Sequence, residues 1–359
     1  MLTKTNTTRR VAAATLRAFL VDVLVACGLS DTDAATVAGA MLEADLTGSD
    51  AHGVFRLAGY VREFKRGAFN PRAKIAVLER GPATALIDGD HAMGHVVMTY
   101  AANLAVELAR QSGVGWVGAR RSNHAGAGAT YATIPLAHGM VGIYGAASSV
   151  NHMAPWGGTE PLLGTNPLAV AIPAGKEAPV VLDIATSLAS NGAIRTHELE
   201  GRPMPEGWVQ NRNDGSPVTD PRRITEGTYL PMGGYKGFGL SLIIGLLAGP
   251  LNRAAFGRDV KDFAAPRGGD SNVGQFVIAL DVARFLPLEA FKAEVDRHVR
   301  ELTSSQRLPG VDEIRVPGQG RLARRAEREK NGIPLTAALL AQVDEVATSV
   351  GVAPLSTRR

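Results

Sequence analysis

In the stretch from Gly48 to Tyr60, three side chains stand four residues apart: His52, Arg56 and Tyr60. Four residues carry an α-helix about 40° past a full turn, so a helix beginning near Gly53 would aim all three groups the same way. An imidazole trades a proton near neutral pH. The guanidinium one turn on has the fork that fits a carboxylate, and a phenol follows. Such a set suits a small acid, with the carboxylate clamped and a proton moved at the oxygen of the neighbouring carbon. A surface helix with a solvated arginine and a capping histidine has the same spacing, since i, i+4 polar pairs are common on exposed faces.

The elements that must position these groups are legible around them. Leu16, Phe19, Leu20, Val23 and Leu24 share one helical face. The preceding Thr8-Arg9-Arg10 has the look of a twin-arginine export signal, but Arg17 and Asp22 interrupt the apolar stretch and no small-residue cleavage site follows. Ser30 or Asp31 caps a second helix running to about Leu46, with Asp33 in its dipole-favoured first turn. Gly48 ends it, Ala51-His52 forms the bend into the third helix, and Asn70-Pro71 closes this helical region.

Next come a strand from Ala83 to Ile87, the turn Asp88-Gly89-Asp90 and an Ala-rich helix from about Met93 to Gln111. Short β-branched runs follow at Val114–Ala119, Met140–Tyr144, Leu168–Ile172 and Val180–Leu182, separated by glycine-rich turns. That rhythm predicts a mostly antiparallel or mixed sheet with surrounding helices, an α/β fold without regular βαβ units. Gly201 to Thr228, rich in Pro, Gly, Asp and Asn, is long for a connector and is expected to be functional. Gly239 to Ala248 predicts a buried helix, Gln275 to Leu280 a strand, and Leu335 to Val350 a closing helix.

Composition narrows the function. With 359 residues and 45% hydrophobic content the chain can bury a substantial core. The 38 basic and 34 acidic residues leave a charge of only +4, and an anionic substrate or cofactor accounts for it without nucleic acid. The dense run from Arg321 to Lys330 contains Glu327 and Glu329 and is expected to be a solvated helical face. Cys27 is the sole cysteine, which excludes an intrachain disulfide and a Cys-based zinc site and favours the cytoplasm. The apolar run from Leu240 to Ala248 is too short to span a membrane. His91 and His95, four apart in a helical frame, lack the companions a metal needs, so no metal is expected. No G-x-S-x-G elbow supports a serine hydrolase.

Five further stretches are candidate ligand contacts. Gly113-Val114-Gly115-Trp116-Val117-Gly118 matches G-x-G-x-x-G, but a helix precedes it and a strand follows, so it is expected to be a turn. Arg120 through Gly128 ends a strand in two bases, Ser122-Asn123-His124 and small residues; exposed N–H groups there would bind an anion or simply cap a helix. Asn151-His152, Ala154-Pro155-Trp156-Gly157-Gly158 and Gly164-Thr165-Asn166-Pro167 form glycine–proline turns that let backbone approach a ligand, or form hairpins. Asp183-Ile184-Ala185-Thr186-Ser187 is an apolar run ending in polar groups at a strand end. Pro231 through Gly239 puts Tyr235-Lys236 in a glycine-rich loop opening a helix, either a phosphate contact or a solvated lysine.

Taken together, the His52-to-Tyr60 segment, Ser122-Asn123-His124, Pro155-Trp156-Gly157-Gly158, Leu163 to Pro167, Asp183 to Ser187, Pro205-Glu206-Gly207-Trp208, Asp220-Pro221 and Gly233 to Gly239 resemble the malate/L-lactate dehydrogenase family through nearly the whole chain. The resemblance implies a non-Rossmann, NAD- or NADP-dependent dehydrogenase interconverting a 2-oxo acid and a 2-hydroxy acid. The alternatives are reduction of a cyclic imine acid (piperideine- or pyrroline-2-carboxylate) and a catalytically silent ligand-binding relative. It implies a homodimer whose subunits have three regions. Residues 1–75 are helical and carry the catalytic His and Arg, residues 76–290 form a cofactor-binding sheet domain, and residues 291–359 are helical and pack on the first. On that resemblance His52 exchanges the substrate proton, with His124 as the second candidate. Arg56 clamps the carboxylate with Tyr60 and Thr165 nearby. Asn123, His124, Ala125, Gly126, Ala127, Gly128, Asp183, Ile184, Ala185, Tyr235, Lys236, Gly318 and Arg321 are expected at the cofactor. Two positions depart from many relatives: Ala51 stands where a serine precedes the histidine, and Ala193 where a polar group completes a relay. Orientation of His52 then falls to Asp50 or to another subunit.

Overall fold

A computed structural model describes residues 8–261 and 271–358. The chain opens with β1 (Thr8–Val11), α1 (Ala13–Ala26), α2 (Asp31–Thr47) and α3 (Leu57–Lys65). The predicted face of α1 is fully enclosed, Leu16, Phe19, Leu20, Val23 and Leu24 all packing inward. The Ser30 hydroxyl accepts the Asp33 N–H and starts α2, and Gly48 in the left-handed region (φ 79°) stops it.

The sheet region follows: β2 (Ala76–Arg80), β3 (Thr84–Asp88), α4 (Gly94–Ser112), β4 (Val114–Ser122), the short α5 (Ala129–Ala132), β5 (Met140–Ala146), β6 (Leu168–Ile172) and β7 (Val180–Ile184). Then come α6 (Asn191–Glu200), β8 (Val209–Asn211), β9 (Gly227–Tyr229), α7 (Tyr235–Ala248) and β10 (Val273–Asp281). The chain closes with α8 (Leu288–Thr303), α9 (Gln319–Asn331), β11 (Ile333–Thr336) and α10 (Ala337–Thr348).

Seven strands form one sheet in the order β2-β3-β4-β10-β5-β6-β7. Only β3 and β4 run parallel within it, joined by α4 as crossover; every other neighbour is antiparallel. The sheet is thus mixed, in line with the strand rhythm. Alanines on α4 allow a close approach to β4: a Cβ on Gly115 would lie 2.0 Å from the Ala105 carbonyl oxygen. Gly113 is the left-handed cap of α4, and a Cβ on Gly118 would meet Asn252 at 1.9 Å. All three glycines of the G-x-G-x-x-G match therefore serve turn and packing.

A second core joins the two ends of the chain. Val11, the inner faces of α1 to α3, Ile333, Leu335, Val343 and Leu355 pack together, and β1 pairs antiparallel with β11. Neither strand is evident in the sequence pattern, because each is short and pairs only with the other. The helix expected from Leu335 begins at Ala337, after Thr336 caps it.

Three further expectations need correction. The stretch 201–228 is no open connector: β8 and β9 pair, and Met204, Val209, Val218 and Tyr229 form a small core with Ile194. Helix α7 is buried on one face only, with Leu240, Ile243 and Leu246 exposed. His91 does not share a helix with His95; it sits in the turn before α4 with φ 57°. Among the described residues no helix is long and apolar enough to cross a membrane.

Candidate active site

The helix expected to start near Gly53 is instead two single 3-10 turns, Asp50–His52 and Val54–Arg56, followed by α3. The break at Gly53 follows from a buried acid. Asp45, in the last turn of α2, accepts the Val54 N–H through Oδ2 at 2.8 Å, while its Oδ1 lies 1.8 Å from where a Cβ on Gly53 would be. Only glycine leaves room for that carboxylate beside the chain. Burial pushes the Asp45 carboxyl well above the ordinary carboxylate range, with the Val54 N–H opposing.

Breaking the helix re-aims the three side chains onto a second segment. The rings of His52 and His124 stack with centroids 5.5 Å apart and planes 17° apart. The Tyr60 hydroxyl lies 2.7 Å from His124 Nδ1, and the Gly126 N–H donates to the same nitrogen at 3.4 Å. A nitrogen that accepts from an amide carries no proton, so Tyr60 donates as well and the His124 proton resides on Nε2. Tyr60 is 1% exposed and does not line the cavity that His124 borders, so it orients His124 from behind. His95 packs edge-on against Tyr60 at 5.5 Å, with both ring nitrogens buried and unpartnered.

His124 is delivered by a strut. The Asn123 amide donates to the carbonyls of His91 and Ala92 at 2.9 Å each, so Asn123 braces the segment and does not face a ligand. The Tyr131 hydroxyl holds the Ala125 carbonyl.

Both imidazoles open onto a cavity of about 490 Å³ that also holds Arg56, Ala125, Gly126, Gly128, Thr165, Asp183 and Ala185. Arg56 donates from Nε to the Ala51 carbonyl at 2.8 Å, and its terminal nitrogens have no protein acceptor among the described residues. The Thr165 hydroxyl lies 3.2 Å from that of Ser148. Asp183, at the end of β7, accepts the Ala129 N–H at 2.9 Å and stands 3.7 Å from Arg321. Burial pushes its carboxyl up, against the pull of Ala129 and Arg321. Asp183 also borders a second cavity of about 420 Å³, lined by Ile184, Gly318 and Arg321. Two cavities sharing a wall at Asp183 fit an elongated ligand such as a dinucleotide.

Electrostatics keep the imidazoles uncharged. His52 is pushed down to about 4, by burial first and then by the charges of Arg56 and Arg321. His124 is driven well below its ordinary range by burial, then by Arg56, His52 and His95. At neutral pH both rings are therefore uncharged: His124 keeps its proton on Nε2, and His52, whose Nδ1 has no partner, is the ring free to take one.

Some expected site residues fall elsewhere. Tyr235 and Lys236 open α7, are exposed and border neither cavity; the left-handed Gly233 and Gly234 turn that helix start outward. Ala127 is buried outside the main cavity. The Asp50 carboxylate pairs with Arg328 and makes no direct contact with the His52 ring. His52 Nδ1 is buried without a partner. Ala51 packs against α6, where a Cβ on Gly192 would lie 2.1 Å from the Ala51 Cβ, and Ala193 borders the cavity.

Sequence reasoning misses Asp45, His95 and Arg328. Asp45 carries a signal: it interrupts the apolar face of α2 between Ala44 and Leu46. The Arg321-to-Lys330 run is expected to be solvated, yet Arg321, Arg325 and Arg328 are all engaged with other elements. The acids of the run mask this in the sequence.

Comparison with known proteins places the chain in a family. The family model for malate/L-lactate dehydrogenase matches residues 11–344. The malate dehydrogenase of Pyrococcus horikoshii is 37% identical over 350 residues, covering 96% of each chain. Its solved structure superposes with a TM-score of 0.88 over 97% of both chains. The Delta(1)-pyrroline-2-carboxylate reductase of Ancylobacter novellus is 32% identical over 337 residues, 93% of this chain and 96% of that one. The chain belongs to the malate/L-lactate dehydrogenase family.

Proposed function

We propose that the chain interconverts a small 2-hydroxy acid and its 2-oxo acid, with His52 and His124 handling the proton and Arg56 gripping the carboxylate. The observation that carries this reading is the stacked, neutral imidazole pair opening on the same cavity as Arg56. In the oxidising direction a neutral imidazole takes the hydroxyl proton as the C–H hydride departs. Bound NAD or NADP supplies the acceptor for that hydride. Ala125, Gly126, Gly128, Asp183, Ala185, Gly318 and Arg321 are the residues we assign to holding it, along the two cavities that meet at Asp183. Thr165 completes the substrate side. A carboxylate on Arg56 offsets one of the charges that hold His52 down, so substrate binding raises its proton affinity.

In this reading α1 to α3, β11 and α10 share one core and form the body carrying His52 and Arg56, and the sheet region carries the cofactor. Helix α8, expected with the C-terminal helices, packs instead on the sheet region, where Asp296 accepts the Gly175, Lys176 and Glu177 N–H groups. A homodimer belongs to the same proposal. Exposed Leu240, Ile243 and Leu246 on α7, with Leu251 beyond it, form an apolar face suited to a second copy, and Tyr235-Lys236 lies at its edge. The lone Cys27 fits a cytoplasmic location.

A second reading, reduction of a cyclic imine acid, is favoured by the pyrroline-2-carboxylate reductase relative, and a silent ligand-binding relative by Ala51 and Ala193, which give His52 Nδ1 no side-chain partner. Titrating the protein with NADH and NADPH by fluorescence, then screening 2-oxo acids against a cyclic imine carboxylate, tests both. Absence of binding by either nucleotide would sink the dehydrogenase reading. Binding without turnover would leave a silent ligand-binding relative.

A further inference from the structure

Four arginines of α9 converge on the turn that carries His52, and their role is inferred on the basis of the activity just proposed. Arg321, Arg325 and Arg328 stand at i, i+4 and i+7, with Arg324 beside them, so one helical face bears four guanidinium groups. That face lies on the C-terminal end of α2 and on the turn bearing His52. Arg321 Nη1 donates to Ser49 Oγ at 3.0 Å. The Arg324 stem crosses Gly48, where a Cβ would lie 2.3 Å from Arg324 Cδ. Arg325 pairs with Glu43. Arg328 donates to the Asp45 main-chain carbonyl and holds both carboxylate oxygens of Asp50, Nη2 to Oδ2 at 3.1 Å.

Cations at a helix C-terminus complement its dipole, which accounts for Arg325 and for the Arg328 contact with the Asp45 carbonyl. The reach to Asp50 goes further. Arg328 is the one buried arginine or lysine among the described residues, at 8% exposure, whereas the Asp50 side chain is 60% exposed. A pair with so exposed a carboxylate adds little stability, yet it fixes the first residue of the turn whose third is His52. His52 has little else to fix it: Nδ1 has no partner, and Ala51 and Ala193 offer no side-chain hydrogen bond.

We propose that Arg328 is a positioning residue for the reaction: through Asp50 and the Asp45 carbonyl it fixes the 50–52 turn so that His52 faces His124 and the cavity. Helix α9 thereby links this hold to the cofactor side, because Arg321, two turns earlier, lies beside Asp183.

The test compares R328Q, D50N, the double variant and the conservative R328K in the full chain. The expected result is a fall in kcat of about tenfold or more for R328Q and for D50N, as a misaimed acid–base group produces. NADH or NADPH affinity should stay within about twofold, R328K, which keeps the charge without the fork, should recover part of the rate, and the double variant should be no worse than the worse single one. A folded R328Q with kcat within about twofold of wild type overturns the proposal, as do additive losses or an equal loss of cofactor affinity. Should R328Q not fold, D50N, altered on the solvent side of the pair, carries the same comparison. If wild type turns over no oxo acid or imine, the activity reading fails while positioning is still read from the His52 ring signals in isotope-labelled histidine NMR. A shifted or broadened His52 signal in D50N or R328Q supports the hold, and an unchanged one refutes it.

Discussion

Replacing Tyr60 by Phe removes one oxygen from a site 1% exposed and tests how His124 is held. The lost bond is 2.7 Å long, to a nitrogen whose remaining donor is the Gly126 N–H at 3.4 Å. A buried hydrogen bond of this kind contributes about 1 kcal/mol net, somewhat more where the partner is left poorly satisfied. Stability should therefore fall by about 1–2 kcal/mol, read from the shift in urea midpoint at constant slope. The same energy selects the tautomer of His124. Losing about 1.4 kcal/mol of that selection lets roughly tenfold more of the ring carry its proton on Nδ1, away from the cavity. kcat should drop by up to about tenfold on that account, with nucleotide affinity unchanged because Tyr60 borders neither cavity. A variant with wild-type kcat and a wild-type urea midpoint would mean that the hydroxyl neither stabilises the fold nor orients the ring.

Four more outcomes can be checked. His52→Ala should lower turnover far more than nucleotide affinity, in steady-state and fluorescence titrations; unchanged turnover assigns the proton to His124. Because His52 is held near 4 and His95 near 3 while unfolded histidine titrates near 6.5, the unfolded chain binds protons first as pH falls. Their stabilising effect is therefore full above about 6.5 and lost on acidification toward 4, about 3 kcal/mol for His52 alone, so Tm should decline steadily from pH 7 to 4.5 and do so less in His95→Phe. Gly53→Ala drives a methyl into Asp45 and should cost about 2–3 kcal/mol with a loss of kcat, measured by urea unfolding and kinetics; wild-type behaviour would show that Asp45 does not shape the turn. Ile243→Asp on the exposed face of α7 should convert a dimer to monomer by light scattering, and an unchanged mass would remove that face from the interface.

What is legible in the sequence follows from which signals are local. Helices α1, α2 and α4 are readable because apolar periodicity, a Ser30 cap and glycine stops at 48 and 113 are written within each segment. Strands β4 to β7 and β10 are readable as β-branched runs between glycine turns. Pairing partners are not, since β1 and β11 meet across more than three hundred residues and carry no pattern of their own. The site behaves the same way. His52 and Arg56 stand out by spacing, but the spacing belongs to a helix that Asp45 prevents, and the groups converge through a bend instead. Tyr60, expected at the substrate, lies behind His124, because its orientation depends on a segment sixty-four residues away. Residues that act at a distance in sequence, Asp45 and Arg328 above all, look from composition alone like helix interior and solvated surface.

The pairing of Thr8–Val11 with Ile333–Thr336 has a consequence for how the molecule is born. Helix α9 and the strand after it emerge from the ribosome after every strand of the central sheet, so the turn bearing His52 waits for most of the described chain before this clamp arrives. The central sheet has all its strands by residue 281 and does not wait. A nascent chain stalled short of α9 would thus display a formed sheet beside an unfinished proton-handling turn, and translation itself would set the moment at which catalysis becomes possible.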